Sequence, residues 1–390
     1  MTDVQRAPDA SSVGDLEADL WPPPDPVSAS PPARRGGSRV PTVVGGVVGA
    51  LIGVAIARGA LPWSGAQIGL GAIGAMLAIW PQMLVHEAGH VALGRLAGLR
   101  AYLLGLGRLR LERTGRGWRG YRGAQALGLG GFALMLPRDA DFGRAAFCAL
   151  GLGGVIANLA ASAACVIAMD GFAPGQAWSP VLGGAAVTGF AMAVVNLVPF
   201  RHHGWSTDGM ILLQVLRGDA VGRARFSAMR LLGLSYAGAR PRDWPRALMP
   251  EACGIEDPLM RAHIHALHLA SALDAGEAAS AEAHARELVA MFPVLPPVVR
   301  GPVALAVAGH IAVLRRDPAR LAAWLPLCTD GLADYSAHRE WLHAERYALE
   351  GNVEAARERI ARSRRADTAD RGGARVLAEL LDALEQRLDA

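Results

Sequence analysis

The chain of 390 residues contains no lysine; all 39 of its basic residues are arginine. That bias reads as base composition rather than chemistry. Nothing in the chain resembles a nucleic-acid arm with aromatic interleaving, so no nucleic-acid partner is expected. Cysteine is also scarce. Cys148, Cys165, Cys253 and Cys328 stand far apart in no metal-ligand spacing, and they read as small buried side chains rather than a disulfide framework. Charge is thin as well: charged residues make up 19% of the chain against 52% hydrophobic, and the mean hydropathy is +0.24. Such a composition excludes a chain disordered throughout, collagen and a small disulfide-knotted secreted fold. What remains is a very large core or a chain partly in lipid.

The charge that exists is unevenly placed. Residues 1–38 hold seven prolines and almost no apolar periodicity, too little to offset the entropy of ordering, so a disordered tail is expected there. The first apolar run begins only at Val40, behind Arg34, Arg35 and Arg39, which argues against a secretory signal. Four uncharged runs then follow: Val40–Ala57, Gly59–Val85, Ala145–Met169 and Gly171–Phe200. A bilayer core about 30 Å thick takes roughly 20 apolar residues of helix, so the expectation is a membrane core of about four spans. Trp63 and Trp178 flank runs where an interfacial belt would put them.

Arginine sets the expected orientation. Arg34, Arg35 and Arg39 precede the first run, nine arginines crowd between Arg100 and Arg144, and Arg201 and Arg217 follow the last run, whereas the links near Leu61 and Asp170 hold almost nothing basic. The positive-inside rule and an even number of spans agree on cytoplasmic N- and C-termini. The expected location is a multi-pass protein of a bacterial cytoplasmic (inner) membrane.

The arginine-rich link has a pattern of its own. Tyr102–Glu112 alternates, setting Arg108, Arg110 and Glu112 against Leu109 and Leu111. Thr114–Gly117 supplies a turn, and Trp118–Met135 can return as a partner strand. A short β-hairpin at the membrane face, about 100–136, is expected, and its arginines suit anionic lipid headgroups. Beyond Arg217 apolar residues recur at helical spacing over Ala281–Met291, Ala304–Arg315, Trp341–Glu350, Val353–Ser363 and Val376–Leu388. Turns at Asp274–Glu277, Arg316–Pro318 and Glu350–Asn352 interrupt them. The last two turns lie one tetratricopeptide period apart, about 34 residues, so a soluble helical domain over 217–390 is expected, either repeat-like or an ordinary bundle, that binds a partner or caps the core. His263, His265 and His268 read as a polar helix face there. The fold class is therefore mainly α: a membrane domain over 39–216 with a hairpin, followed by a tetratricopeptide-like helical domain.

The second run ends on His86-Glu87-Ala88-Gly89-His90. Four residues of helix turn through about 400°, so both imidazoles leave one face a single turn apart and can grip one Zn²⁺. Glu87 beside them is placed to act as general base on a water. Composition alone would yield this motif roughly 0.01 times in such a chain, and ionisable groups in a membrane span are functional by default. A catalytic zinc needs a third protein ligand, yet Val91–Gly98 and the hairpin hold no histidine. Downstream, the fourth run closes on Asn196-Leu-Val-Pro199, and Thr207-Asp208-Gly209 follows.

With these residues together, the segment from about residue 65 to 216 resembles the site-2 protease family of intramembrane zinc metalloproteases. The family pairs HExxH in one span with a downstream Asn-x-x-Pro…Asp-Gly element. Gly154–Asn158 looks like its Gly-x-x-x-Asn element, and Leu129-Gly-Gly-Phe132 looks like the strand of its membrane-associated hairpin. The resemblance implies one zinc per chain held by His86, His90 and Asp208, with Glu87 as base and Asn196 near the substrate or the developing oxyanion. It implies hydrolysis of peptide bonds in or near transmembrane segments of membrane-protein substrates. Two departures stand out. The Asn196–Asp208 interval is longer than the family's, so Phe200–Ser206 loops out and brings His202 and His203 into competition with Asp208 as third ligand. No PDZ domain is readable. The alternative function is a catalytically silent relative acting as a membrane-embedded binding protein.

Overall fold

The computed structural model describes residues 63–123, 130–138, 142–169, 171, 176–202 and 205–390. The expected tail over 1–38, the expected span Val40–Ala57 and His203 lie outside them. The described residues divide into two compact units, one ending at Ala237 and one running from Gly238 to Ala390.

The first unit is built on three long apolar helices: α1 (Gly65–Leu96), α2 (Arg144–Met169) and α3 (Trp178–Leu197). A capping box starts α1: the Ser64 hydroxyl accepts from the Gln67 backbone N–H, and the Gln67 side chain accepts from that of Ser64. The helix is organised inside out for a water-soluble protein. Its buried stripe is Gly71, Gly74, Ala78, Gln82, His86, Gly89, His90 and Gly94, while Met76, Leu77, Trp80 and Leu84 face outward. Where apolar surface gains nothing by leaving its surroundings, helices associate instead through small residues that let backbones meet. That is the pattern here. A Cβ on Gly89 would run into the carbonyl of Gly153 on α2, and one on Gly153 into the carbonyl of Gly89; a Cβ on Gly184 of α3 would run into the carbonyl of Gly71.

Among the described residues, four helices are long and apolar enough to cross a membrane: α1, α2, α3 and Pro297–Arg315 of the second unit. Their surroundings separate them. The apolar windows of the first three are 22%, 28% and 33% buried, against 56% for the fourth. Val303, Ala304, Val307, Ala308 and Ile311 of that fourth helix are part of the second unit's own hydrophobic core, where the sequence reading placed an amphipathic helix.

Between α1 and α2 the chain forms a four-stranded antiparallel sheet of order β3-β2-β1-β4, from β1 (Arg100–Leu106), β2 (Leu109–Thr114), β3 (Gly117–Arg122) and β4 (Gly131–Leu136). This corrects the expected simple hairpin. Gly107, at φ 58, turns the chain where one continuous strand over Tyr102–Glu112 was expected; glycine is the residue that fills such a left-handed position in a tight hairpin. The return segment likewise divides into β3 and β4, which flank the pair on opposite sides. The alternation is real, but its polarity is reversed: Leu109 and Leu111 are 59% and 42% exposed, while Arg110 and Glu112 are buried. Arg110 lies over the Phe132 ring, 4.9 Å from its centroid, and donates to the carbonyls of Gly107 and Leu109. Glu112 pairs with Arg119 at 2.8 Å. Partnered this way, the charges tolerate burial.

After α3 come the short pair β5 (Arg201–His202) and β6 (Trp205–Ser206), then α4 (Asp208–Arg217) and α5 (Ala220–Ala237). The sequence reading assigned residues from 217 onward to the second domain. In the structure α5 belongs to the first unit, with Tyr236 edge-on to Tyr102 of β1 at 4.7 Å.

The second unit is helical throughout: α6 (Pro258–Ala275), α7 (Ala278–Met291), α8 (Pro297–His310), α9 (Pro318–Trp324), α10 (Ser336–Leu349), α11 (Val353–Arg365) and α12 (Arg371–Asp389), with short 3₁₀ and π turns between. All three turns read from the sequence fall at helix ends. Gly276 closes α6 in the left-handed region, Asp317 caps α9 and Asn352 caps α11. Its core centres on the fully buried Trp324, with Leu288, Ile311 and Leu342.

The glycine crossings generate a test. Gly184→Ala forces α1 and α3 apart and is expected to destabilise the detergent-solubilised protein by about 1–3 kcal/mol. The measure is the thermal midpoint followed by tryptophan fluorescence, and an unchanged midpoint would mean the two backbones do not meet there.

Candidate metal centre

His86, Glu87 and His90 lie in the last third of α1, and the helical repeat turns both imidazoles to the buried stripe. The third participant arrives from the far end of the unit. Helix α3 stops at Leu197, ahead of Pro199, as helices do before a residue that disfavours helical backbone in its neighbour. Thr207 then caps α4: its hydroxyl accepts from the Met210 N–H and donates to the Val198 carbonyl at 2.8 Å, tying the start of α4 to the end of α3. Gly209 lets that approach happen, since a Cβ there would collide with the Leu197 carbonyl. Asp208, between the cap and the glycine, is thereby aimed at the histidines.

The ligand atoms form a small triangle. His86 Nε2 to Asp208 Oδ2 is 3.0 Å, His90 Nε2 to Asp208 Oδ2 is 3.3 Å, and His86 Nε2 to His90 Nε2 is 3.1 Å. Ligands about 2.0–2.1 Å from a tetrahedral ion stand about 3.3 Å apart, so the triangle fits one face of such a site. The other ring nitrogens are committed elsewhere. His90 Nδ1 donates to the Leu150 carbonyl at 2.7 Å, and His86 Nδ1 to Asn158 Oδ1 at 2.7 Å. With both Nδ1 atoms carrying the hydrogen, the neutral rings point bare Nε2 lone pairs at each other and at a carboxylate. Three acceptors converging out of water repel unless a cation sits among them. The group His86, His90 and Asp208 could hold a metal ion.

Glu87 flanks the triangle. Its Oε2 is buried with no hydrogen-bond partner among the described residues, and its carboxylate lies against Gly131, the first residue of β4, where a Cβ would come within 2.5 Å of Oε1. Gly154 of α2 does the same for the His86 ring, which a Cβ there would strike. Two of the sequence patterns therefore reach the centre through their glycines: Gly154-x-x-x-Asn158 makes room for His86 and hydrogen-bonds it, and Gly131-Phe132 passes beside Glu87.

Other expected participants have local partners. The Asn196 amide donates to the Met192 carbonyl one turn back in its own helix, at 3.0 Å. His202 pairs with Trp205 across β5 and β6. Among the histidines of α6, His265 is buried against His284 of α7, with their Nδ1 atoms 3.0 Å apart, and His268 donates to the Pro250 carbonyl. His265 and His268 thus pack between elements, and the group of three ligands found among the described residues does not include them. Gln82 and Leu150 also take part in the site, and no motif in the sequence marks them. For Gln82 a signal short of a motif was present: an amide in an otherwise apolar run, one helical turn before His86.

With Zn²⁺ as probe, the full chain is expected to bind one ion. Asp208→Ala should lose more affinity than the roughly 100-fold ceiling of outer-shell substitutions, and His202→Ala should lose none. Chelator competition measures both; the reverse ranking would move the third ligand to the β5–β6 loop. Comparison with protein-family models, with curated proteins and with solved structures returns no match for the chain.

Proposed function

We propose that the protein is an intramembrane zinc metalloprotease of the site-2 protease type, cutting peptide bonds in or near transmembrane segments of other membrane proteins. One observation carries the reading. Two imidazoles and a carboxylate converge at metal-ligand distances inside a bundle of apolar helices, and an unpaired glutamate stands at their edge. Placing four ionisable groups at such helices is costly, and a hydrolytic centre accounts for all four.

His86, His90 and Asp208 would hold the ion. Held there, zinc would supply Lewis-acid chemistry and lower the pKa of a water toward neutrality. Glu87 takes the proton of the attacking water and returns it to the leaving amine; its bare Oε2 is free for that exchange. The scissile amide must first lose its helical hydrogen bond, because a transmembrane helix pairs all of its own backbone. Among the described residues β4 is an edge strand, and its first residue lies against Glu87. An unwound substrate segment paired along that edge would present its backbone to the base.

The remaining assignments belong to the same reading: a multi-pass protein of the bacterial inner membrane with both termini cytoplasmic, Asn196 near the substrate, and a second unit of tetratricopeptide-like helix pairs that docks a protein partner. The alternative, a silent relative that binds membrane proteins without cutting them, keeps the same centre and differs in turnover.

The experiment is Glu87→Gln against a co-expressed single-span substrate. Loss of a general base should slow cleavage by about 10²–10⁴-fold while zinc stays bound. Cleavage by the variant at the wild-type rate would refute the assignment. A wild-type protein that binds zinc but changes no fragment in a membrane proteome would favour the silent relative.

A further inference from the structure

Behind His86 runs a chain of amides that joins all three apolar helices. Asn158 is fully buried. Its Nδ2 donates to the backbone carbonyl of Gln82 at 2.8 Å and to Gln82 Oε1 at 2.9 Å, and its Oδ1 faces His86 Nδ1. Gln82 Nε2 in turn donates to the Ala185 carbonyl of α3 at 3.2 Å. A backbone carbonyl can only accept, so the direction of every bond follows from the two ends. The Ala185 carbonyl fixes which end of the Gln82 amide faces it, which leaves Oε1 for Asn158. The Gln82 carbonyl and Oε1 together fix which end of the Asn158 amide faces them, which leaves Oδ1 for His86. His86 must then carry its hydrogen on Nδ1 and turn a lone pair toward Asp208.

We infer that Gln82 is a positioning residue: through Asn158 it sets the tautomer and orientation of His86, so that the site is built for its ion before the ion arrives. The inference rests on the metal-site reading of His86, His90 and Asp208. Gln82 has no contact with the triangle itself and acts through Asn158. Without its Oε1 the Asn158 carboxamide keeps one tether, and a second N–H is left buried and unsatisfied. Any rotation that satisfies it swings Oδ1 away from His86. Gly189 of α3 supports the arrangement, since a Cβ there would come 2.7 Å from the Gln82 amide.

The test measures Zn²⁺ affinity of the full-length, detergent-solubilised chain by chelator competition, together with the visible absorption of its Co²⁺ form, which reports ligand geometry. Gln82→Met, which preserves volume and removes both polar ends, should weaken Zn²⁺ roughly tenfold and alter the Co²⁺ bands; Asn158→Leu should approach 100-fold. Gln82→Glu, neutral when buried, keeps an acceptor for Asn158 and should retain wild-type affinity within about threefold, against the larger losses usual for outer-shell changes. The control is Thr188→Val, which deletes a different α1–α3 bond, from the Thr188 hydroxyl to the Ala75 carbonyl at 3.0 Å, with no link to His86; it should leave Zn²⁺ binding and the Co²⁺ spectrum unchanged. If Gln82→Met binds as the wild type does, or loses no more than Thr188→Val, the relay is overturned. If His86→Ala binds Zn²⁺ as well as the wild type, the metal-site reading fails instead, and the two failures are separable.

Discussion

Polar side chains carried into the α1–α2–α3 bundle are costly unless they find partners inside the protein, and most of the first unit follows from that constraint. Those of the amide chain behind His86 all find them, and Glu87 Oε2 does not. The backbone of each helix satisfies itself, so the helices have no polar reason to meet. They meet through glycine, at Gly89–Gly153 and at Gly71–Gly184, where the absence of a side chain turns a helix surface into a contact between backbones. Close backbones in turn place carbonyls within reach of neighbouring side chains. The Leu150 carbonyl that holds His90 and the Ala185 carbonyl that holds Gln82 are available because α2 and α3 lie so near α1. Small residues and polar network are thus one design: the first brings acceptors into the interior, and the second uses them.

The same constraint explains the sheet. Arg110 and Glu112 are buried in β2 because Phe132, two backbone carbonyls and Arg119 satisfy them, while the leucines alternating with them face outward. A guanidinium suits this role better than an ammonium would: it is planar, weakly hydrated and able to stack on a ring while donating in its own plane. The want of lysine thus costs the sheet nothing.

What could be read in the sequence depended on how local the cause was. His86, Glu87 and His90 were legible because a four-residue spacing on a helix has one geometric outcome, and the helices of the second unit because capping and turn residues mark their ends. The boundary after Ala237 was not legible, since it depends on α5 packing beside Tyr102 and not on composition. The sheet was half legible: alternation identified strands, but the face that would be buried depended on Phe132 and Arg119, brought alongside by β4 and β3. Asn158 and Gln82 needed still more, because their roles exist only once the faces of three helices are known. Asp208 came from a motif resemblance, and the physical reason for its approach, a threonine cap and a glycine against Leu197, belongs to the fold.

The two histidines of the centre are held differently, and this makes the centre unequally open to change. His90 leans on a main-chain carbonyl, which no substitution at Leu150 removes. His86 leans on a side chain that leans on another side chain. Sequence drift can therefore alter the basicity and aim of one ligand while the other stays pinned to the backbone. Of the two imidazoles, the one that substitution can retune over evolutionary time is the one held from the Asn158 side.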